Sequence, residues 1–242
     1  MGIGIFEDNR FILFKVELRQ CMGIYKYDVY RSPNIGIFLK ANDKFLFTPK
    51  GFANSKMENL ESFLGVKCIG TSIAYTRLLG PLMVTNNRGI IVPRITEDKE
   101  LQDLKEATGM NVAKLETKLT AVGNLIVAND KAAIASTALP REAINEVKDV
   151  LDVPVEYMNI ASYYQVGAMI VSTNVGAAVH PKTSEREIHR ISETLNVEVE
   201  PITVNGGIPF VAAGMVANSR SIVVGTLTTG PELIMLTRAF KV

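Results

Sequence analysis

The stretch GNLIVANDKAA, residues 123–133, decides the fold because the chain repeats its pattern. A close copy, AGMVANSRS, stands at residues 213–221, and weaker copies read KANDK at 40–44, VTNNR at 84–88 and VSTNV at 171–175. When the five stretches are aligned, the anchor positions are Asn42, Asn86, Asn129, Thr173 and Asn218. Successive anchors are 44, 43, 44 and 45 residues apart, which indicates a fivefold internal repeat.

Two further columns of the alignment hold only small residues. Six positions before the anchors stand Gly36, Gly80, Gly123, Gly167 and Ala212. Directly before the anchors stand Ala41, Thr85, Ala128, Ser172 and Ala217. Glycine fills only about 7% of an average sequence, so these columns are not a chance pattern. Small residues in register are expected where the backbones of several units converge, although turn chemistry alone is a rival explanation.

Each repeat of about 44 residues predicts the element order ββαβ. Turns such as Asn42-Asp43 suit a β-hairpin, because asparagine and aspartate tolerate the positive φ of tight turns. Apolar residues at helical spacing then predict a helix in every copy, with capping boxes at Ser55/Glu58, Ser184/Glu187 and Thr229/Glu232. A β-branched segment such as VEVEPITV, residues 197–204, predicts the third strand.

The two ends of the chain predict a closed ring. The fifth repeat reaches Val242 just after its helix and lacks a third strand, whereas GIYKYDVY at residues 23–30 alternates like a strand and can supply it. Five such units cannot each bury a core, so they must share burial with their neighbours. We therefore predict one α/β domain over residues 22–242, a pseudo-fivefold propeller whose closure removes exposed sheet edges.

Residues 1–21 lie outside the repeat pattern, and we predict that they are an N-terminal extension. Met22 stands where the ring needs to begin, which suggests it as an alternative start of the product. An extra hairpin around Glu7 to Arg10 is the other interpretation of these residues.

Composition excludes several classes of protein. The 26 basic and 25 acidic side chains give a net charge of +1, so any contact with RNA must be local rather than driven by a global cationic field. Two cysteines and two histidines favour neither a disulfide framework nor a zinc site. The longest apolar stretch, Pro209–Ala217, is far shorter than the roughly 20 residues of a membrane helix, and the start lacks a signal-peptide pattern. These features predict a cytoplasmic protein without membrane partners.

Catalytic candidates are few. A five-bladed ββαβ ring also serves enzymes that modify guanidino groups, and such chemistry needs an activated cysteine and a histidine. Cys68 lies within a predicted strand and is expected to be a buried, inert thiol. His180 is expected to be satisfied by backbone at a strand end, and His189 to lie on a solvated helix face. Phosphate-binding glycine motifs are absent from the sequence, so we predict no catalytic site, cofactor or metal, with the guanidino-modifying enzyme as the alternative.

Four blocks of sequence resemble one known family. They are LTAVGNLIVANDKAA (119–133), GAAVHPKTSEREI (176–188), TVNGGIPFVAAGMVANS (203–219) and TTGPEL (228–233). Together they closely resemble the archaeal form of the translation initiation factor 6 family, over about residues 30–240. The resemblance implies the pentein fold and a monomer that binds the large ribosomal subunit, keeps it from joining the small one and assists its maturation. It further implies contacts with a ribosomal protein and nearby ribosomal RNA, and release by other factors.

The resemblance also implies where docking occurs. In the family, the loops that lead into the first strand of each unit form the docking surface. Matching motifs carry this role to Arg77 in TRLLG and Asn124 in AVGN. Equivalence between repeats adds the candidates Tyr163, Gln165, Asn205 and Pro209. Asn124 could instead cap its own backbone.

One departure from the family limits this resemblance. Pro81 stands where eukaryotic relatives carry arginine, which removes a contact. A general RNA-binding module remains the second alternative function.

Overall fold

The structure, a computed structural model, describes residues 23–242. The predicted extension, residues 1–21, and the suggested start at Met22 lie outside the described residues. Strands, numbered in chain order, are β1 Gly23–Lys26, β2 Lys40–Ala41, β3 Phe45–Pro49, β4 Lys67–Thr71, β5 Val84–Thr85, β6 Gly89–Pro93, β7 Asn111–Leu115, β8 Ile126–Ala128, β9 Ala133–Ala135, β10 Val155–Tyr157, β11 Ile170–Ser172, β12 Gly176–Val179, β13 Glu198–Pro201, β14 Met215–Ala217 and β15 Ser221–Val224.

Long and short helices alternate along the chain. The long helices are α1 Asn54–Leu64, α3 Asp98–Thr108, α5 Arg141–Leu151, α7 Glu185–Leu195 and α9 Gly230–Phe240. The short helices are α2 Leu79–Leu82, α4 Val122–Leu125, α6 Val166–Met169 and α8 Val211–Gly214, with a 3₁₀ turn at Ile35–Ile37 in the equivalent place of the first repeat. The first four long helices each connect the second and third strands of a sheet, and α9 follows the second strand of the last sheet, at the places where apolar spacing predicted helices.

The described residues form a mixed α/β structure with five three-stranded sheets of one plan. In each sheet a hairpin pairs two strands antiparallel, and the third strand lies parallel to the second. In the central copy, Val127 of β8 pairs with Ile134 of β9, and β10 continues the sheet at Glu156. The second strand is therefore the middle strand, and it is the most buried of the three.

The first described strand completes the last sheet. β1 pairs parallel with β15, from Gly23 opposite Ser221 to Lys26 opposite Val224. The last repeat runs out after α9, so its third strand comes from the opposite end of the sequence. This confirms the prediction made from residues 23–30.

The short helices correct the predicted element order. The sequence predicted an apolar strand beginning at the glycine column, but the glycines lie in one-turn helices and the following strands hold only two or three residues. A Cβ built on Gly123 would come within 2.1 Å of the carbonyl oxygen of Gly80, and one on Gly80 within 1.8 Å of that of Gly36. Neighbouring units thus touch backbone to backbone, and the helical turn creates the contact. The unit is αββαβ rather than ββαβ.

These short helices contact one another in a cycle. α2 packs on α4, α4 on α6, α6 on α8, α8 on the turn at Ile35–Ile37, and that turn on α2. The closeness of these backbones is the physical reason for the small-residue column in the sequence.

Apolar burial is shared between neighbouring units, as predicted. One cluster joins Ile91 of β6 to Val147 of α5 in the following unit. The cluster that contains Leu60 of α1 also contains Val216 and Val223 of the last unit, so the last unit and the first share a core. Because each cluster draws side chains from two units, a single unit has no complete core of its own.

The predicted helix caps are partly corrected. The capping boxes at Ser184/Glu187 and Thr229/Glu232 are present. The predicted box at Ser55/Glu58 is wrong, because α1 already begins at Asn54 and leaves Ser55 inside the first turn. The sequence analysis missed a third box in α3, where Glu97 and Glu100 take the two roles.

Candidate functional site

The anchor asparagines fix their own turns and tie neighbouring units together. The Oδ1 atom of Asn129 accepts hydrogen bonds from the backbone N–H groups of Lys131 and Ala132 at 2.9 and 3.0 Å. Its Nδ2 donates to the carbonyl of Thr173 at 3.1 Å and to that of Leu195, at the end of the next unit's long helix, at 2.9 Å. One buried side chain thus satisfies four backbone groups in two units.

The other anchors repeat this arrangement. Asn86 donates to the carbonyl of Leu151 and Asn218 to that of Leu64, both at 2.8 Å and both at helix ends. Thr173 keeps the acceptor role, since its Oγ1 accepts the turn N–H groups at 3.2 and 3.3 Å, but its hydroxyl donates to the carbonyl of Gly176 in its own turn rather than to the next unit. The need for an acceptor and a donor on one short side chain explains why asparagine fills most of this column.

A ring of polar side chains closes one end of the molecule. We call it the polar plug, and its members are Asp43, Asn87, Asp130, Asn174 and Ser219. Each backbone N–H donates to the side chain of the next member, at distances from 2.6 to 3.3 Å, and the cycle returns from Ser219 to Asp43. Burial raises the pKa of Asp43, but hydrogen bonds from Ser219, Asn87 and Asn174 outweigh burial and hold the pKa below its usual value.

The plug satisfies its own polar groups. Asn174 donates to the carboxylates of Asp130 and Asp43 at 2.7 and 2.9 Å, and Asn87 donates to the same two carboxylates. Across residues 23–242, no group of three or more His, Cys, Asp and Glu side chains is placed to hold a metal ion. The plug is therefore a structural closure.

An axial cavity of about 270 Å³ lies beside the plug. The five small residues directly before the anchors line both, so they form the boundary between cavity and plug. The cavity extends from this boundary to the short helices, and its walls are mostly aliphatic. Lys40 and Asn124 are the largest polar side chains on its surface.

The loops before the short helices form the opposite end, which we call the loop face. It comprises residues 28–34, 72–78, 115–121, 159–165 and 204–210. Of the eleven exposed large hydrophobic side chains in the described chain, these loops carry eight, namely Tyr30, Tyr75, Leu78, Leu119, Tyr163, Tyr164, Ile208 and Phe210. An exposed apolar set of this size on one face is typical of an interaction surface.

The turns of the loop face are held in unusual backbone conformations. Ala74 and Tyr75 have φ values of +50° and +58°, in the left-handed region, and Tyr30 and Arg31 do likewise. Each such residue costs about 1–3 kcal/mol unless its surroundings enforce the conformation. Glu100 does so, because its carboxylate accepts the N–H of Ala74 at 2.8 Å and that of Tyr75 at 3.0 Å. The exposed Tyr75 is thereby presented on a fixed backbone.

The same device recurs in two other loops. Glu187 of α7 accepts the N–H of Ala161 at 2.9 Å, and Glu232 of α9 accepts those of Gly206 and Gly207 at 3.1 and 2.9 Å. Burial raises the pKa of Glu232, but hydrogen bonds from Thr229, Thr203 and Gly207 outweigh it and lower the pKa to about 2. The sequence marked Glu187 and Glu232 only as helix caps. Their second role depends on which loop lies above the helix, which the sequence pattern does not contain.

Three of the predicted site residues lie exposed on the loop face. The guanidinium of Arg77 lies 5.5 Å from the centre of the Tyr30 ring, which links the loops of neighbouring units. Tyr163 packs edge-on against Phe210 with ring centres 6.1 Å apart, linking another pair of loops. Gln165 is exposed at the start of α6.

The other three are more enclosed. Pro209 is half-buried beside Phe210 on the loop face. Asn124 lies in α4 and lines the axial cavity, and within residues 23–242 its side chain makes no hydrogen bond, so it does not cap its own backbone. Asn205 is only 7% exposed and donates to the carbonyl of Pro33 at 2.9 Å, so its side chain joins the last unit to the first.

The cysteine and histidine candidates behave as the sequence predicted. Burial, followed by the negative charge of Glu61, raises the pKa of the buried Cys68 thiol to about 12. Nδ1 of His180 accepts the backbone N–H of Lys182 at 3.0 Å, and burial together with the Lys182 charge lowers the pKa of this histidine. His189 pairs with Glu193 on an exposed helix face. Cys21 lies outside the described residues.

The chain belongs to the eIF-6 family, whose model matches residues 24–239. It is 50% identical over 219 residues to translation initiation factor 6 of Cenarchaeum symbiosum, an alignment that covers 90% of this chain and 99% of that protein. Translation initiation factor 6 of Nitrosopumilus maritimus is 46% identical over the same shares of both chains. The factor of Pyrococcus abyssi is 38% identical over 223 residues, which are 90% of this chain and 98% of that protein. These relatives confirm the family resemblance seen in the sequence.

Among the helices of residues 23–242, none combines the length and apolar character needed to cross a membrane.

Proposed function

We propose that this protein is a translation initiation factor that docks on the large ribosomal subunit through the loop face and sterically keeps the small subunit away. The observation that carries the proposal is the set of exposed aromatic and aliphatic side chains on backbone turns that carboxylates of the long helices hold in place. The names of the relatives support a role in translation initiation. A role in maturation of the large subunit follows from the same docking.

We infer that the five units close into a single pentein ring over residues 22–242. The support is the cycle of short-helix contacts, the sheet that β1 completes and the core shared by the last and first units. A closed ring stiffens the loop face, because each loop is braced by its neighbours as well as by its own unit. A stiff surface loses little conformational entropy when it docks.

The chemistry of the loop face suits a mixed protein and RNA partner. Aromatic side chains and arginine are the groups that contribute most at protein interfaces. The same groups stack on exposed bases and pair with phosphates, and Arg31 and Arg77 are both exposed here. The net charge of +1 means that any RNA recognition must be local, and we assign it to this face.

The mechanism is obstruction rather than catalysis. The protein works as a cytoplasmic monomer, touches a ribosomal protein and adjacent ribosomal RNA, and is removed by other factors. The high pKa of Cys68 and its burial leave no activated thiol for guanidino chemistry among residues 23–242, which favours docking over the alternative enzyme.

Sedimentation tests the proposal directly. Purified large subunits are mixed with the full chain and pelleted, and small subunits are then added. We expect the protein to pellet with large subunits and to reduce the amount of joined ribosomes. Failure to pellet, or undiminished joining, contradicts the proposal. Equal binding to unrelated RNA, with an affinity that collapses in salt, would favour a general RNA-binding module instead.

Substitutions locate the contact. Asn124→Arg introduces a long cation at the rim of the cavity, and Arg77→Glu reverses a charge on the loop face. Both substitutions should weaken the affinity for large subunits about tenfold or more, in line with the cost of a lost charged contact, without lowering the melting temperature. Lys148→Glu, on the exposed side of α5, is the matched control and should pellet normally. If Asn124→Arg pellets normally, Asn124 is outside the interface.

A further inference from the structure

Lys40 breaks the repeat at a position inside the molecule. Two residues before the anchors, the other four units carry Val84, Val127, Val171 and Val216. All five residues line the axial cavity. A lysine replaces valine once, in a column that otherwise forms an aliphatic wall.

The ammonium group of Lys40 has no partner within the described chain. The side chain is enclosed by protein, retains a limited surface toward the cavity, and makes no hydrogen bond or ion pair with another residue among 23–242. Burial lowers the pKa of Lys40 to about 8. An unpaired charge in such surroundings is destabilising, so the site is incomplete without an anion.

No acid among residues 23–242 fills this need. Of the described residues that line the cavity, Lys40 alone has an ionisable side chain. The carboxylates of Asp43 and Asp130 belong to the plug beyond Ala41 and Ala128, where amide and hydroxyl donors already hold them.

The remaining lining residues define the chemistry of an occupant. Asn124 supplies a side-chain amide without a partner at the short-helix end of the cavity, and valines and alanines supply the walls. One cation and one amide donor match a single carboxylate, whereas a phosphate dianion needs several charged donors. A volume of about 270 Å³ leaves room for a short hydrocarbon chain beside the carboxylate.

We propose that the axial cavity binds a small monocarboxylate with a short apolar chain, with Lys40 as its counter-ion and Asn124 as a hydrogen-bond donor. The apolar chain of the acid contacts the aliphatic walls, while the carboxylate accepts hydrogen bonds from the ammonium group of Lys40. The cavity shares Phe210 with the loop face, but Lys40 and the valine column lie inside the molecule, and the proposal does not require that the protein bind ribosomes.

Calorimetric titration of the full chain with hexanoate tests the site. We expect saturable binding at neutral pH that Lys40→Met weakens about tenfold or more, because a charge-assisted contact is lost. Asn124→Ala should weaken binding severalfold. Lys50→Met removes the same charge from an exposed position and should leave the affinity unchanged. Lys40→Val, which copies the residue of the other four units, provides a second variant that is expected to fold.

The pH dependence of hexanoate binding distinguishes this site from nonspecific attraction to an ordinary lysine. Lys40 must be charged to bind, so affinity should fall as pH rises through about 8, whereas an ordinary lysine would hold it to much higher pH. Hexanamide, which lacks the charge, should bind more weakly than hexanoate. Absence of saturable binding, or equal affinity in folded Lys40→Met or Lys40→Val, overturns the proposal.

A carboxylate of a docking partner has the same chemistry as a free acid. Adding hexanoate to the large-subunit sedimentation distinguishes the two sources. Displacement of the protein supports a partner's carboxylate as the occupant, and unchanged pelleting with intact hexanoate binding supports a free acid.

Discussion

The two ends of the molecular axis are built from the same five repeats but are used in opposite ways. At the polar plug, residues of nearly uniform type turn inward and satisfy one another in a closed cycle of hydrogen bonds. At the loop face, residues differ from unit to unit and large apolar side chains point outward. Residues of similar type therefore form the closure, and residues of varied type on a braced backbone form the proposed docking surface.

The largest expected effect is a loss of stability caused by a substitution at the plug end of the molecule. Asn129→Ala removes two acceptor and two donor interactions of one buried side chain. We expect the free energy of unfolding to fall by about 3–5 kcal/mol, because buried backbone groups lose their partners. Urea denaturation followed by circular dichroism measures the change.

Asn129→Thr is the matched control, since threonine fills this column in the fourth unit. Threonine keeps an acceptor for the N–H groups of the turn and loses the two hydrogen bonds to Thr173 and Leu195 in the next unit. The free energy of unfolding should therefore fall clearly less than in Asn129→Ala. Equal losses would show that the links between units contribute little.

A smaller loss of stability is expected where Glu232 of α9 holds a loop of the loop face. The pKa of Glu232 is lowered from 4.5 to about 2 in the folded protein, so its contribution is fully present above pH 4.5 and is lost as pH falls toward 2. Glu232→Gln should cost about 1–3 kcal/mol at neutral pH and flatten the decline of stability over that acidic range.

Denaturation curves at a series of pH values check this slope. Glu185→Gln, at an exposed position in the first turn of α7, should keep the slope of the native protein. An unchanged slope in Glu232→Gln would mean that the carboxylate does not brace residues 204–210.

The smallest effect on stability is expected at the tip of the loop face. Tyr75 is 78% exposed, so Tyr75→Asn should change the free energy of unfolding by no more than about 0.5 kcal/mol, and asparagine tolerates the left-handed backbone. Binding to large subunits should nevertheless weaken in the pelleting assay.

Ile234→Asn tests a comparably exposed apolar residue on α9, outside the loop face, and should pellet normally. If Tyr75→Asn unfolds the protein, or pellets as the native chain does, the separation between a structural end and a docking end is wrong.

Much of the fold was predictable because residues of one type recur at fixed spacings and mark the repeat. The glycine column and the asparagine anchors recur in register, and strand alternation in residues 23–30 located the missing strand. The short helices were not predictable in this way. VGNL, at Val122–Leu125, is a single turn that leads directly into the apolar strand IVA, so no periodicity distinguishes the helical turn from the start of the strand.

The candidate site was only partly accessible from sequence. Family motifs led to Arg77 and Asn124, but equivalence between repeats also selected Asn205, whose side chain lies inside the junction with Pro33. Equivalent positions share a backbone location, whereas exposure depends on the neighbouring unit. Glu100 escaped notice because a glutamate in the first turn of a helix does not reveal which loop it holds.

The sequence by itself determined the number of units, their length, the positions of the long helices and the origin of the last strand, because these depend on local pattern and spacing. Only the tertiary structure decided which side chains meet across units. Three features arise where distant segments converge: the cycle of the polar plug, the bracing of loops by Glu100, Glu187 and Glu232, and Lys40 in the axial cavity, which has no partner among residues 23–242. Such contacts depend on backbone proximity in space, which no local periodicity specifies.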